Sequence, residues 1–239
     1  MKKTYYATTL IFILQGLFSS CSSNPNTEKE LPLAEESVQE IDSSAFEKKS
    51  RYEELLKKFK PISFDTLKVF YEYNDKHFLG KELSLKEAAV FKPGITEASW
   101  GKLSGFYACN QFQIDVSTLG LIVRTPSEYG SSSIKLVLFD KKKDQLKKEY
   151  FELANDIMDG GEYYHTISWL IKTKVPEIRA FVYDYSYYDH KIAGDSEDTT
   201  IEESRSYFLI DCMSPKFDTI SKNENQLKKR FRKLLKTEE

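Results

Sequence analysis

His165 is followed by Ser168 and preceded by Tyr163, Tyr164 and a polar stretch from Asp156 to Glu162, so an imidazole, hydroxyls and carboxylates lie close together in the chain. These are the parts of a hydrolase, provided a nucleophile and its base meet in space with a third group to orient them. Ser168 lacks the G-x-S-x-G context of a nucleophile elbow. His165 is therefore a candidate general base, and the alternative is a strand histidine with no chemical role. Phe181, Tyr183, Tyr185 and Tyr187 alternate and so share one face of a strand. Such a ladder either stacks on sugar rings or forms a cross-strand cluster facing the core; solvent exposure separates the two.

Two further groups carry weaker signals. Asp189, Asp195, Glu197 and Asp198 could supply oxygens to a hard cation, but their spacing is not that of an EF-hand loop, and an acidic connection between strands is the simpler reading. Cys109 and Cys212 fit neither a CxxC nor a zinc pattern, which leaves a disulfide or two thiols packed as small hydrophobes. Phosphate loops, dinucleotide fingerprints and paired catalytic carboxylates are not found, so no cofactor is expected.

The elements that must position these groups are mostly strands. Ser44-Ala-Phe-Glu47 is a capping-box pattern, and Tyr52, Leu55, Leu56 and Phe59 form a stripe, which predicts a helix over Ala45–Lys60 ending at Pro61. Leu67, Val69, Tyr71 and Tyr73 then alternate as in a half-buried strand. Ser84-Leu-Lys-Glu87 predicts a second cap, with a helix over Leu85–Phe91. Strands are expected at Phe106–Val116, Leu119–Arg124, Ile134–Phe139, Gln145–Leu153, Glu162–Lys172, Glu177–Tyr188, Ser206–Cys212 and Phe217–Ser221. Asp140–Asp144 and Lys174–Pro176 mark hairpin turns.

Ser221-Lys-Asn-Glu224 is a third capping pattern, opening a helix with Leu227, Phe231, Leu234 and Leu235 on one stripe. Its six bases either sit in solvent around a docking helix or meet anionic lipid. Successive hairpins without intervening helices give a mainly β fold, an antiparallel meander closing as a sandwich, a barrel or a single curved sheet, flanked by N- and C-terminal amphipathic helices.

The first residues carry an address. Lys2 and Lys3 precede the apolar run Leu10–Leu14 and Leu17-Phe18, then the small residues Ser19 and Ser20, which is signal-peptide grammar in a stretch too short to span a bilayer. Leu17-Phe18-Ser19-Ser20-Cys21 resembles the lipobox of bacterial lipoproteins, departing from it at Phe18 where Leu is usual. The resemblance implies cleavage before Cys21, a diacylglyceryl thioether on its sulfur and acylation of the new amine. Several chains anchor stably where one does not. Ser22 after that Cys, by analogy with lipoprotein sorting, implies the outer membrane, facing the periplasm.

Residues 21–43 are polar, acidic and proline-bearing, as expected of a disordered tether, and 44–239 then form a single β-rich domain. With 239 residues, a formal charge of −2 and 30% charged residues, the chain has neither the basic excess of a nucleic-acid binder nor the apolar content of a membrane-spanning one. The expected function is a non-enzymatic binding or accessory module of a Gram-negative envelope. Its expected partners are the membrane, through the lipid, and an envelope protein or glycan. The alternatives are a periplasmic hydrolase using His165 and a structural or inhibitory partner of another envelope protein.

Overall fold

A computed structural model describes residues 49–71, 78–91, 105–126, 132–173, 177–194, 199–236 and 238. All of them lie in one unit, Glu47–Glu239. The signal peptide, Cys21, the tether, the Ser44–Glu47 cap, His77, Tyr73, Asp195, Glu197 and Asp198 lie outside the described residues.

Seven strands form the antiparallel succession that the hairpin pattern predicts. They are β4 (Tyr107–Gln113), β5 (Thr118–Pro126), β6 (Ser132–Asp140), β7 (Gln145–Asp159), β8 (Glu162–Lys172), β9 (Ile178–Asp189) and β10 (Ile201–Asp211). β11 (Thr219–Ser221) extends one edge, and β1 (Lys60–Pro61), β2 (Thr66–Val69) and β3 (Lys81–Glu82) complete an eleven-stranded sheet. The sheet is mixed, because β1 runs parallel to β4. It is open, so of the three closures expected from sequence the single curved sheet is the one observed.

The curvature originates in β7. Up to Ala154 this strand pairs with β6, and from Asn155 onward it pairs with β8. Register breaks at Ile134/Lys135 and Val137/Phe139 bend it, since each extra residue in a ladder kinks the strand and increases its twist. β2 takes over the edge of β8 beyond the point where β7 departs, from Val69↔Ser168 to Thr66↔Ile171. The two halves of the sheet thereby fold toward each other. Ile122, Leu136, Leu138 and Leu153 of one half pack with Leu170, Ala180, Val182 and Ile210 of the other in one inner core.

The outer faces are covered separately. Leu121, Val123, Val137 and Phe139 lie under Leu55 and Phe59, from the segment of α1 (Glu53–Leu56), and under Ala88 and Phe91 of α2 (Leu85–Ala88) with its 3-10 extension. Trp169, Phe181, Tyr207 and Leu209 lie under α3 (Glu224–Leu235) through Leu227, Phe231 and Leu235. β5 and β6 are thus buried on both faces, which explains their nearly continuous apolar runs.

Several boundaries differ from expectation for local reasons. Among the described residues of the expected helix Ala45–Lys60, only the single turn α1 is α-helical: the amides that follow it turn back to i−3 carbonyls, Lys58 to Leu55 and Phe59 to Leu56, and the chain then leaves to pair with β4. The apolar stripe still docks. The Ser84/Glu87 capping box is present as predicted. At the C-terminal helix the cap is Asn223, accepting from the Gln226 amide at 3.1 Å, because Ser221 is still in β11. Val116 is 89% exposed and belongs to a turn, not to the buried face of β4. Asp156 belongs to β7, and the turn into β8 is Gly160-Gly161, both at positive φ (54° and 94°), as a two-residue hairpin loop requires.

Candidate functional site

The pairing of β7 to β10 brings one set of side chains onto the outer face beyond α3. Asp156 lies opposite His165, His165 opposite Tyr185, Tyr163 opposite Tyr187, and Arg205 opposite Tyr185. Tyr163 is the hub: its ring stacks on Tyr187 at 4.9 Å and 27°, lies parallel to His165 at 6.1 Å, and meets Tyr185 edge-on at 6.1 Å. Arg205 caps Tyr185 with its guanidinium 5.2 Å from the ring centre and is held by Glu203 at 2.9 Å. Met158, opposite Tyr163, is 61% exposed and extends this apolar surface. A cleft of about 180 Å³ between His165, Ile167, Tyr183, Tyr185, Arg205 and Glu238 adjoins the cluster.

The predicted aromatic ladder is therefore split in two. Phe181 and Tyr183 are core residues under α3, at 0% and 8% exposure, with Phe181 stacked on Phe231 at 4.3 Å. Tyr185 and Tyr187 continue past the covered zone and stay half-buried. Burial, with the nearby Asp156 carboxylate, pushes the Tyr163 phenol well above its ordinary range, and burial with Glu203 raises Tyr185. Both phenols are neutral hydrogen-bonding groups at physiological pH.

His165 is not assembled into a nucleophile–base pair. Its Nδ1 is buried without a hydrogen-bond partner, and the Asp156 carboxylate stands 4.0 Å away, beyond hydrogen-bond reach. Ser168 is an odd number of positions along the strand and so points to the opposite face, where its hydroxyl is buried and unpartnered.

Cys109 and Cys212 are free thiols in the inner core and not a bridge. Burial pushes them up to about 11 and about 12, so both stay protonated and unreactive. Asp189 ends β9 by accepting the Ile192 amide at 3.2 Å, a turn role. Among the described residues no group of three His, Cys, Asp or Glu side chains could hold a metal.

Sequence reasoning missed a second cluster, at the crease of β7. Lys135 is 2% exposed, and its ammonium donates to Ser133 Oγ at 2.7 Å and Thr125 Oγ1 at 3.0 Å, with Glu152 at 3.4 Å. Ser133 donates to Glu152 at 2.9 Å, and Asn155 donates to the other Glu152 oxygen. Across the crease Thr166 donates to Asp184 at 2.8 Å. Burial raises Asp184 above the usual carboxylate range, with Glu152 adding to the effect, and burial lowers Lys135. A lysine inside an otherwise apolar strand, Ile134–Phe139, was the available signal.

Comparison with family models, curated proteins and solved structures finds no match to this chain.

Proposed function

We propose that the chain is a non-enzymatic binding module of a Gram-negative envelope, tethered by lipid at Cys21, and that the surface of Tyr163, Tyr185, Tyr187 and His165 takes a saccharide. The observation that carries this reading is the division of the aromatic stripe. α3 covers Phe181 and Tyr183, while Tyr163, Tyr185 and Tyr187 beyond them stay partly exposed, with Tyr163 stacked on Tyr187 and edge-on to Tyr185. Tyrosine suits this role because an apolar ring face is combined with a polar tip. Arg205 and Glu203 on β10 add charged hydrogen-bonding groups at the rim, as saccharide hydroxyls require. The geometry of His165 offers no comparable support for hydrolysis.

Co-sedimentation of the Cys21→Ala chain with purified peptidoglycan sacculi tests the binding. Retention is expected, with affinity falling by at least about tenfold when Tyr163 and Tyr187 are both changed to Ala. Retention unaffected by those changes would remove the platform. Labelling of cells with a radioactive fatty acid tests the anchor: label is expected on the wild type and absent from Cys21→Ala.

A further inference from the structure

Glu152, Asn155, Thr166 and Asp184 form one side of a cleft of about 380 Å³ whose other side is Phe151, Val182, Phe208 and Ile210. The volume is within the roughly 300–1,000 Å³ range of small-molecule sites. The site lies on the inner face of the sheet, whereas the tyrosine surface lies on the outer one, so the two are independent.

The polar half of the lining is rich in acceptors and poor in donors. Thr166 Oγ1 is spent on Asp184, and one of the two Asn155 amide hydrogens is spent on Glu152. What remains are several acceptors, the carboxylate oxygens and Asn155 Oδ1, which is buried and has no hydrogen-bond partner, against one Asn155 N–H. Charge points the same way. Lys135 compensates Glu152 through the contact at 3.4 Å, while Asp184 has the Thr166 hydroxyl as its neighbour and no ion-pair partner among the described residues, which leaves one uncompensated acid in the cleft. A ligand matching such a lining brings N–H donors, one positive charge and a hydrocarbon body.

From this arrangement we infer that the crease of β7 is a binding site for a primary alkylammonium, its nitrogen at Asp184 and Asn155 and its chain against Phe151, Val182, Phe208 and Ile210. The same chemistry is offered by a free amine and by a lysine side chain of a partner protein. Calorimetric titration of the full chain carrying Cys21→Ala distinguishes them, with n-pentylamine, N-acetyl-lysine-N-methylamide and 1-pentanol as probes. Binding of either amine with Kd of about 1 mM or tighter is expected, and pentanol, which lacks the charge, should bind at least about tenfold more weakly. Pentylamine alone binding assigns the site to free amines; the lysine probe binding as well assigns it to protein side chains too. Asp184→Asn keeps the acceptor for Thr166 and should weaken the amines by at least about tenfold, with thermal melting of the same sample confirming a folded variant. Equal affinity for pentanol and pentylamine, no heat from either amine at about 10 mM, or unchanged binding by the folded Asp184→Asn variant would each overturn the inference.

Discussion

Asp184 concentrates the electrostatic cost of the crease in one side chain. Its folded pKa is raised above the ordinary 3.8, so the folded state holds the proton to higher pH than the unfolded chain does. Stability from this group is therefore lost as pH rises through the folded value. Asp184→Asn should raise the denaturation midpoint at about pH 7, and the gain over wild type should shrink as pH falls through the folded value and toward the unfolded 3.8, below which the carboxyl is protonated in both states. Denaturant titration across that range checks it; a pH-independent difference would mean the charge is not the cause. The two core thiols give a second residue-scale test. In the Cys21→Ala chain without reductant, iodoacetamide should label neither in the folded state and both after unfolding, as mass spectrometry would count. A chain unlabelled even when unfolded would hold a bridge instead. At Gly120 the constraint is steric, because an added Cβ would meet the Phe112 ring at 2.5 Å. Gly120→Ala should cost about 1–3 kcal/mol by overpacking, measured by the same unfolding assay.

Among the elements, α3 decides which part of the aromatic face is core and which part is surface. Leu227, at 1% exposure, anchors it on the sheet. Leu227→Ala should cost about 2–5 kcal/mol, whereas Asn223→Ala, removing only the cap, should cost about 1 kcal/mol. The reverse order would show that α3 is held by its own helical stability and not by docking. How legible an element was in the sequence followed how local its determinants are. The Ser84/Glu87 cap and the Asp140–Asp144 hairpin depend on neighbours a few residues away, and they formed as read. β8 was bounded correctly as Glu162–Lys172, although the residues before it, from Asp156, were read as a loop and not as the end of β7. β1 was read as the end of a helix, because Lys60-Pro61 becomes a strand only through β4. β7 was cut short at Leu153, since Asn155 and Asp156 look like loop residues until β8 is placed beside them.

For the molecule as a whole, the crease in β7 creates both surfaces of interest. It folds the sheet into an inner core with a polar cleft at the bend, and it leaves the ends of β7 to β10 as a broad outer face. The tyrosines of that face were visible in the sequence as an alternating run; that the run divides between core and surface depends on where α3 ends, which no spacing encodes. Of the Lys135, Glu152 and Asp184 cluster only the lysine within an apolar strand was visible; its partners were not, because the members come from three strands and meet only after the sheet bends. The proposed saccharide surface is the central claim, and NMR of the Cys21→Ala chain with isotope-labelled tyrosine rings tests it most directly. On titration with a soluble oligomer of N-acetylglucosamine, the ring signals of Tyr163, Tyr185 and Tyr187 should shift together while Tyr207, buried under α3, stays in place. Shifts confined to other tyrosines, or none at saturating sugar, would contradict the account.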